Sequence, residues 1–332
     1  MDSVSVIQKN FDSLGSLLSG QNSLFRWRHV FSLPEYMQVW RESFRPTGEL
    51  YLGFIKEGDQ LIGAAPLVID GQDASFIGHG SVCDYLDFSI ANGKEQLFYQ
   101  ALFDDLGKRG VKILNLRCLR PESTVLSVCK KVVENRGGLF HQEPDGVSME
   151  MDLPKNWDEY LELLSGKERH EIRRKLRHFE QSGPVNIRTL GKTPITRSDM
   201  NRFFTMFRQS RSDKNDFMDI RMESYFRLLI KTLGKIGVLK IYLLEIKGKI
   251  AAASLCFDYQ KTIFLYNSCY DPEYKQFSVG LLCNIFSIRN SIETGHRKYD
   301  FLKGDEPYKR RLGGREVRLS KARIKMCKGA NI

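Results

Sequence analysis

The chain has 332 residues, of which 42% are hydrophobic and 27% are charged. This composition is typical of a soluble globular protein and excludes a low-complexity or disordered chain. No apolar run approaches the length of a membrane span, and the N-terminal stretch lacks the apolar centre of a signal peptide, so we expect a cytoplasmic protein.

The cysteines and histidines do not follow the spacing of a disulfide framework or a metal site. The seven cysteines form no CxxC pair, and the six histidines form no HxH or HExxH motif. We therefore expect reduced cysteines and no bound metal.

The charge is unevenly distributed along the chain. The net charge of +11 divides into −4 for residues 1–150 and +15 for residues 151–332. A basic second half is typical of a domain that meets a polyanion, such as a nucleic acid, a nucleotide cofactor or a membrane surface. A solvated basic face is the equally simple alternative.

The first half of the chain alternates between strand and helix patterns. The helix pattern at 94–109 has its leucines on one face, and Gly137 with Gly138 ends another helix. The loop at 74–90 carries aromatic and acidic residues. In chain order, the sequence predicts strands within 20–33 and 50–69, at 111–118 and at 147–153, with helices at 34–45, 94–109 and 121–136.

The second half begins with a long basic helix and ends in a sheet. In the predicted helix at 156–181, Arg169, Arg173 and Arg177 are spaced four residues apart and share one face. The further predictions are helices at 198–211, 221–236 and 278–293, with strands at 238–246, 250–258, 262–270, 297–303 and 316–326.

Two segments of the chain resemble each other. Residues 51–67 read YLGFIKEGDQLIGAAPL, and residues 242–255 read YLLEIKGKIAAASL. In both halves a helix follows, and then a glycine (Gly110, Gly295) that precedes a strand. Because two matches occur in the same order, we predict two domains of one α+β fold, at 1–153 and 154–332.

A short segment after the strand at 262–270 has the pattern of a phosphate-binding turn. A helix N-terminus offers unpaired N–H groups and a partial positive charge that suit a phosphate. Here Ser278 is a plausible N-cap, Gly280 permits close approach, and Lys275 adds a charge. The predicted binding residues are Lys275, Gln276, Phe277, Ser278, Val279 and Gly280.

This hexad, KQFSVG, resembles the R/Q-x-x-G-x-G/A segment that holds the coenzyme A pyrophosphate in GNAT acyltransferases. Lys275 replaces Arg or Gln, and Ser278 replaces the middle Gly. A closer resemblance is to the CelD-type, cellulose-biosynthesis branch of that superfamily, which is related to the FemABX peptidoglycan ligases. It is carried by YLD (85–87), GKERHEIRRKLRHFE (166–180), YDPEYKQFSVGLL (270–282) and YDFLKGDEPYKRRLG (299–313).

The resemblance implies two tandem GNAT-like domains, each a mixed twisted sheet flanked by helices. The first would be degenerate, and the second would use acetyl-CoA or another acyl-CoA as co-substrate without a metal. It also implies site roles: Asp305 or Glu306 as general base, Tyr308 as proton donor to the thiolate, and Tyr266 with Asn267 near the thioester. The residues assigned to the acceptor are Asp84, Tyr85, Asp87, Arg169, Arg173, Arg174 and Lys309.

Each of these assignments has a structural alternative. Asp305 would cap a turn, Glu306 would pair with Lys309 or Arg310, and the arginines would form a solvated face with nearby glutamates. Tyr266 would fill the core, and Asp87 would cap a turn.

The sequence leaves three functions open. The first is transfer of an acyl group, acetyl before others, from coenzyme A to an amine or hydroxyl of a sugar or cell-envelope precursor, which is a small-molecule or lipid-linked acceptor. The second is a FemABX-like transfer that uses aminoacyl-tRNA, and the third is a non-enzymatic basic binding module. Peripheral contact with a membrane is compatible with the charge, and DNA is not an expected partner.

Overall fold

The computed structural model of the protein describes residues 3–10, 23–78, 82–181, 183–191, 195–210 and 212–327. They form two compact units. Unit 1 comprises the described residues of Met1–Gly146 and Arg318–Ile332, and unit 2 comprises those of Val147–Val317. The sequence placed the boundary near residue 153. The strand that the sequence predicted to begin at residue 147 begins at Leu139 and extends across the division between the two units.

Unit 1 contains a mixed sheet with helices packed against it. Strands β1 to β4 pair in order as an antiparallel meander, β4 pairs with β6 in parallel, and β6 pairs antiparallel with β13. The elements are β1 (Val4–Gln8), α1 (Pro34–Phe44), β2 (Glu49–Glu57), β3 (Gln60–Asp70), β4 (Asp73–Phe76), β5 (Ser89–Ile90), α2 (Glu95–Lys108), β6 (Ile113–Leu119), α3 (Lys130–Asn135) and β7 (Leu139–Asp152), with β13 (Arg315–Lys325).

Unit 2 has the same kind of sheet. Strands β8 to β11 pair in order as an antiparallel meander, β11 pairs with β12 in parallel, and β12 pairs antiparallel with β7. The elements are α4 (Trp157–Leu163), α5 (Gly166–Glu180), β8 (Val185–Leu190), α6 (Arg197–Ser210), α7 (Ser212–Phe217), α8 (Ile220–Lys235), β9 (Leu239–Ile246), β10 (Lys249–Tyr259), β11 (Thr262–Tyr270), α9 (Val279–Glu293), β12 (Lys298–Lys303) and α10 (Pro307–Arg311).

The order of pairing is therefore the same in both units: an antiparallel meander, a helix, and a strand parallel to the last strand of the meander. The segments that resemble each other in sequence lie in the β2–β3 and β9–β10 hairpins. The predicted α+β class, with a mixed sheet flanked by helices, is confirmed. None of the described helices is both long enough and apolar enough to cross a membrane.

Three predicted elements differ from the structure. Residues 20–22 lie outside the described residues, and from Ser23 the chain makes one bridge to Leu61 before a 3-10 turn at Val30–Ser32. Phe25 and Trp27 are buried there, so alternate side chains point inward as they do in a strand, although this segment is not paired as a strand.

The predicted helix at 156–181 divides into α4 and α5, because Ser165 caps the second helix by accepting a hydrogen bond from the Glu168 amide at 3.2 Å. The helix predicted from residue 121 begins later, with a π-helical turn at Val125–Cys129 that leads into α3. Strands β1, β4, β5 and β8 and helices α7 and α10 were not predicted.

Helices cover both faces of the unit 2 sheet. Cys256 and Phe257 are adjacent on β10, so their side chains point to opposite faces. Cys256 belongs to the core formed with α9. The Phe257 ring instead lies 4.7 Å from that of Tyr266, which contacts Phe226 of α8 at 5.6 Å. The parallel pair β11–β12 is thus held between two helical layers.

Candidate active site

Strands β11 and β12 separate at their carboxyl ends. Their parallel pairing runs from Thr262–Lys298 to Phe264–Asp300. Beyond Phe264, β11 continues to Tyr270 while paired with β10. A gap therefore opens between the two strand ends, beside the start of α9. In α/β sheets, ligands bind at such a crevice outside the carboxyl ends of the strands.

A β-bulge bends β11 where it leaves β12. Leu255 of β10 pairs with Asn267 and Cys256 pairs with Leu265, so Tyr266 is the extra residue. Bulges of this kind bend a strand, and they are common beside active sites. The sequence placed Tyr266 and Asn267 near the thioester. The structure places the Tyr266 ring in the aromatic cluster below α8, and Asn267 is half-buried at the bulge.

The segment before α9 is helical rather than an open loop. Residues Pro272–Phe277 form a 3-10 helix, and Asp271 caps it by accepting a hydrogen bond from the Glu273 amide at 3.0 Å. Asp271 also forms an ion pair with Arg202 of α6. Lys275 and Gln276 are exposed on this helix.

Ser278 occupies the predicted N-cap position of α9 but does not cap it with its side chain. Its backbone is left-handed, with φ 56° and ψ 37°, and its hydroxyl accepts a hydrogen bond from the Lys175 ammonium of α5 at 2.7 Å. The first intrahelical bond runs from the Leu282 amide to the Ser278 carbonyl at 3.1 Å. The N–H groups of Val279 and Gly280 therefore lie before the hydrogen-bonded part of the helix and have no intrahelical acceptor.

Three members of the predicted hexad serve packing. A Cβ atom at Gly280 would lie 3.2 Å from Cδ1 of Tyr270, so this glycine brings α9 close to β11. The Val279 side chain is fully buried in the core. Phe277 lies 5.2 Å from the ring of His178 on α5, which joins the 3-10 helix to α5.

The chain turns sharply at the end of β12. Gly304 has φ 112°, and a Cβ atom there would lie 2.4 Å from Oε2 of Glu306, so the turn requires glycine. Lys309 is 3% exposed, and its ammonium donates hydrogen bonds to the carbonyls of Leu302 (3.2 Å), Lys303 (2.7 Å) and Gly304 (3.4 Å). Its predicted contact with the acceptor is replaced by these internal contacts.

The two predicted carboxylates have different surroundings. Glu306 Oε2 lies 2.9 Å from the Lys309 ammonium, which is the structural pairing anticipated as the alternative. Asp305 is exposed at the mouth of the turn. Tyr308, the predicted proton donor, is half-buried and packs against the core of unit 2.

The arginines of α5 that were assigned to the acceptor differ in their contacts. Arg174 donates two hydrogen bonds to Glu171, at 2.8 and 2.9 Å, and these bonds lower the pKa of Glu171 to about 2. Arg169 donates to the Leu164 carbonyl at 3.4 Å, and Arg173 is exposed. Arg174 thus has the solvated role given as the alternative, while Arg169 lies at the start of α5.

A pocket of about 260 Å³ opens at the N-terminus of α5. Its two arginines, Arg310 and Arg311, come from α10 and were not predicted as site residues, although they follow the GDEPYK stretch directly. The lining residues are Leu163, Leu164, Ser165, Glu168, Arg310, Arg311 and Gly313.

In unit 1 the corresponding strands also separate, and a loop fills the space. The parallel pairing of β4 with β6 ends at Ser75–Asn115. Beyond it, the Leu86 amide donates to the Cys118 carbonyl at 3.2 Å, and the Cys118 thiol contacts the Cys83 carbonyl at 3.6 Å. The degeneracy of the first domain stays a prediction, with which these loop contacts are compatible.

The unit 1 residues assigned to the acceptor are largely internal. Tyr85 is 1% exposed, and Asp84 is half-buried. Asp87 accepts hydrogen bonds from the Ser123 hydroxyl and the Phe88 amide, both at 2.9 Å. Burial raises the pKa of Asp87 to about 6, against the opposing effect of Arg28. Among the residues that the structure describes, no cluster of His, Cys, Asp or Glu has the arrangement of a metal site.

Comparisons with known proteins identify the class of the enzyme. Residues 166–310 match the family model described as an acetyltransferase (GNAT) domain. This segment runs from the start of α5 into α10 and contains the gap, the bulge and the start of α9. No curated sequence matches the chain.

Solved structures share the fold over nearly the whole chain. FemX is 11% identical with a TM-score of 0.63, and the alignment covers 95% of this chain and 96% of FemX. A conserved protein from Bacteroides thetaiotaomicron VPI-5482 has the same identity and TM-score, with 97% and 100% covered. L-PGS from Bacillus licheniformis is 12% identical with a TM-score of 0.55, with 87% and 91% covered.

The protein is an acyltransferase with a GNAT-type fold.

Proposed function

We propose that the protein transfers an acyl group, acetyl before others, from coenzyme A to an amine or hydroxyl of a sugar or cell-envelope precursor. The observation that carries this proposal is the gap between β11 and β12. It lies beside the first turn of α9, whose N–H groups have no intrahelical acceptor. The match of residues 166–310 to an acetyltransferase domain supports it.

The residues at the gap fit the donor. A diphosphate needs N–H donors and positive charge, which the amides of Val279 and Gly280, together with Lys175 and Lys275, supply at one end of the gap. The pantetheine arm is extended and mostly apolar, and the strand edges offer it backbone groups beyond Phe264.

The reaction needs a base and a proton donor. The acceptor N–H or O–H attacks the thioester carbonyl, a C–N or C–O bond forms, and the C–S bond breaks. Asp305 takes the acceptor proton, since it is exposed at the strand end, whereas Glu306 is paired with Lys309. Tyr308 donates a proton to the leaving thiolate.

The acceptor is anionic in this proposal. The pocket beside α5 contains Arg310 and Arg311, and Arg169 lies on the adjoining first turn. Arginine suits phosphate or carboxylate recognition because its planar guanidinium binds both oxygens at once. A sugar phosphate or lipid-linked diphosphate provides such a group, and the resemblance to the CelD-type branch supports a carbohydrate or cell-envelope precursor.

Transfer from aminoacyl-tRNA is the second candidate. It is favoured by Ser278, which stands where GNAT enzymes have glycine, and by the charge of +15 on residues 151–332. Binding of tRNA to such a surface would weaken steeply with salt.

One assay separates the two candidates. The purified protein is incubated with acetyl-CoA and a panel of amino sugars, sugar phosphates and nucleotide sugars, and free thiol is measured. Acceptor-dependent thiol release supports the proposal. Absence of thiol release with every acceptor, together with salt-sensitive tRNA binding, would favour the second candidate.

A further inference from the structure

Lys175 joins α5 to the start of α9. Its ammonium lies 2.7 Å from the Ser278 hydroxyl, and its side chain is 17% exposed, which is low for a lysine. Ser278 is left-handed, a conformation that residues other than glycine adopt at a cost in free energy. The contact therefore fixes an unfavourable backbone immediately before the first turn of α9.

The charges around this contact are unbalanced. Lys175 lies 3.1 Å from Glu171, but Arg174 already neutralises Glu171 with two hydrogen bonds. The first turn of α9 has no acidic residue, and Lys275 lies on the 3-10 helix before it. Positive side chains and the positive end of a helix dipole repel each other. An anion bound between them would relieve this repulsion.

We infer that Lys175 is a positioning residue for the diphosphate of the acyl donor and that it acts through Ser278. This inference rests on the proposed function and adds a residue to it. The Ser278 hydroxyl faces Lys175 and makes no capping bond to the first turn of α9. The amides of Val279 and Gly280 are left to bind the phosphate oxygens, with the ammonium beside them.

If Lys175 positions the diphosphate, its replacement should weaken the binding only of ligands that contain a diphosphate. Coenzyme A should bind more weakly when Lys175 is replaced, while an acetyl-pantetheine thioester, which has no diphosphate, should be unaffected. If Lys175 instead has only a role in folding, its replacement should weaken the binding of both ligands alike. The two ligands therefore separate positioning of the diphosphate from general loosening of the site.

The experiment compares binding of the two ligands to the full chain by calorimetry. Lys175→Ala should raise the Kd of coenzyme A about tenfold, because Ser278 loses the contact that fixes it and the positive charge beside the diphosphate is removed. Lys175→Arg should recover most of the affinity. Lys167→Ala, which removes an exposed lysine from the first turn of the same helix, should leave the Kd unchanged.

Kinetics and a double substitution test whether Lys175 acts through Ser278. With acetyl-CoA, Lys175→Ala should raise KM by a similar factor and leave kcat within about twofold, since the contact lies away from the reacting carbonyl. Ser278→Ala should weaken binding, and adding Lys175→Ala to it should weaken binding by less than Lys175→Ala does alone.

Hydrogen exchange provides a readout without ligand. In Lys175→Ala the amides of residues 278–281 should exchange faster than in the wild type, and in Lys167→Ala they should not. Unchanged affinity for coenzyme A in Lys175→Ala, or an equal loss for acetyl-pantetheine, would overturn the inference while leaving the proposed function intact. A wild-type protein that binds no coenzyme A would overturn the proposed function itself.

Discussion

Oε2 of Glu306 lies 2.9 Å from the ammonium of Lys309, within the turn that joins β12 to α10. The same ammonium donates to the carbonyls of Leu302 and Lys303, at the end of β12, and of Gly304, whose φ is positive. One buried lysine thus determines the path of the chain directly after the strand that borders the gap. This arrangement leaves Asp305 exposed and holds one oxygen of Glu306 against Lys309.

Replacing Lys309 should destabilise this turn. Lys309→Met keeps the apolar stem but leaves carbonyls and a carboxylate without their donor, so the free energy of unfolding should fall by about 2 kcal/mol. Urea denaturation measures this change. Arg310→Ala on the same helix removes an exposed ion pair with Glu316 and should cost less than about 1 kcal/mol. Equal losses in the two variants would contradict the structural role of Lys309.

Asp305 should be needed for chemistry and not for binding of the donor. Asp305→Asn keeps the size of the side chain but removes the base, so kcat should fall by about 10²–10⁴-fold. The Kd of coenzyme A should stay within about twofold. Glu306→Gln provides the comparison: it should lower stability through loss of the Lys309 pair, with a smaller effect on kcat. If Glu306→Gln lowers kcat more than Asp305→Asn does, the assignment of the base is wrong.

The left-handed backbone at Ser278 should appear in stability measurements. Glycine adopts this conformation without strain, so Ser278→Gly should be more stable than Ser278→Ala by about 1 kcal/mol. Lys247 has a similar φ of 51° in the β9–β10 turn, away from α9. Lys247→Gly should be more stable than Lys247→Ala by a similar margin, and neither substitution should change the binding of coenzyme A. Thermal denaturation with and without ligand tests both pairs, and equal stability of the Gly and Ala variants at residue 278 would contradict the strain.

Two buried groups in unit 1, His29 and Asp87, should change the free energy of unfolding in opposite directions as the pH falls. Burial, with Arg120 and Arg28 nearby, lowers the pKa of His29 to about 3. Its stabilising contribution is therefore complete above the unfolded value of about 6.5 and is lost as the pH falls towards 3, at up to about 1.4 kcal/mol per pH unit. Burial raises the pKa of Asp87 to about 6, so its contribution to stability grows as the pH falls from 6 towards 4.

His29→Leu should separate these contributions. Without the histidine, the unfolding free energy should rise between pH 7 and pH 5, because the effect of Asp87 is no longer opposed. Adding Asp87→Asn should remove that rise. Urea denaturation at several pH values measures both, and identical pH profiles for the wild type and His29→Leu would contradict the burial of a neutral imidazole.

Much of the fold could be predicted because its patterns are local. The helix predicted at 94–109 is Glu95–Lys108, and the strand predicted at 262–270 is Thr262–Tyr270. Strand β4 was missed because Asp73–Phe76 is short, and β8 because only Leu190 is buried within Val185–Leu190. The strand Leu139–Asp152 was predicted only from residue 147, because its first part is exposed and contains polar residues.

The start of α9 could be predicted from the sequence, but its contacts could not. The helix start at Ser278 follows from local sequence, whereas its partner Lys175 is 103 residues away and depends on how α5 packs. The bulge at Tyr266 likewise arises from the register with β10, so alternation along the strand alone did not reveal which way that ring points. The burial of Lys309 is a tertiary effect of the same kind.

The most direct test of the account is a thermal-shift titration of the wild-type protein with acetyl-CoA and coenzyme A. Adenosine 3′,5′-bisphosphate, which lacks the diphosphate bridge and the pantetheine arm, is the control. At a tenfold excess over Kd, a ligand of the folded state adds roughly 1.4 kcal/mol of stability. The account predicts a rise in Tm with both coenzyme A ligands and a much smaller one with the control. No shift at millimolar acetyl-CoA would contradict an acyl-CoA site between β11 and β12.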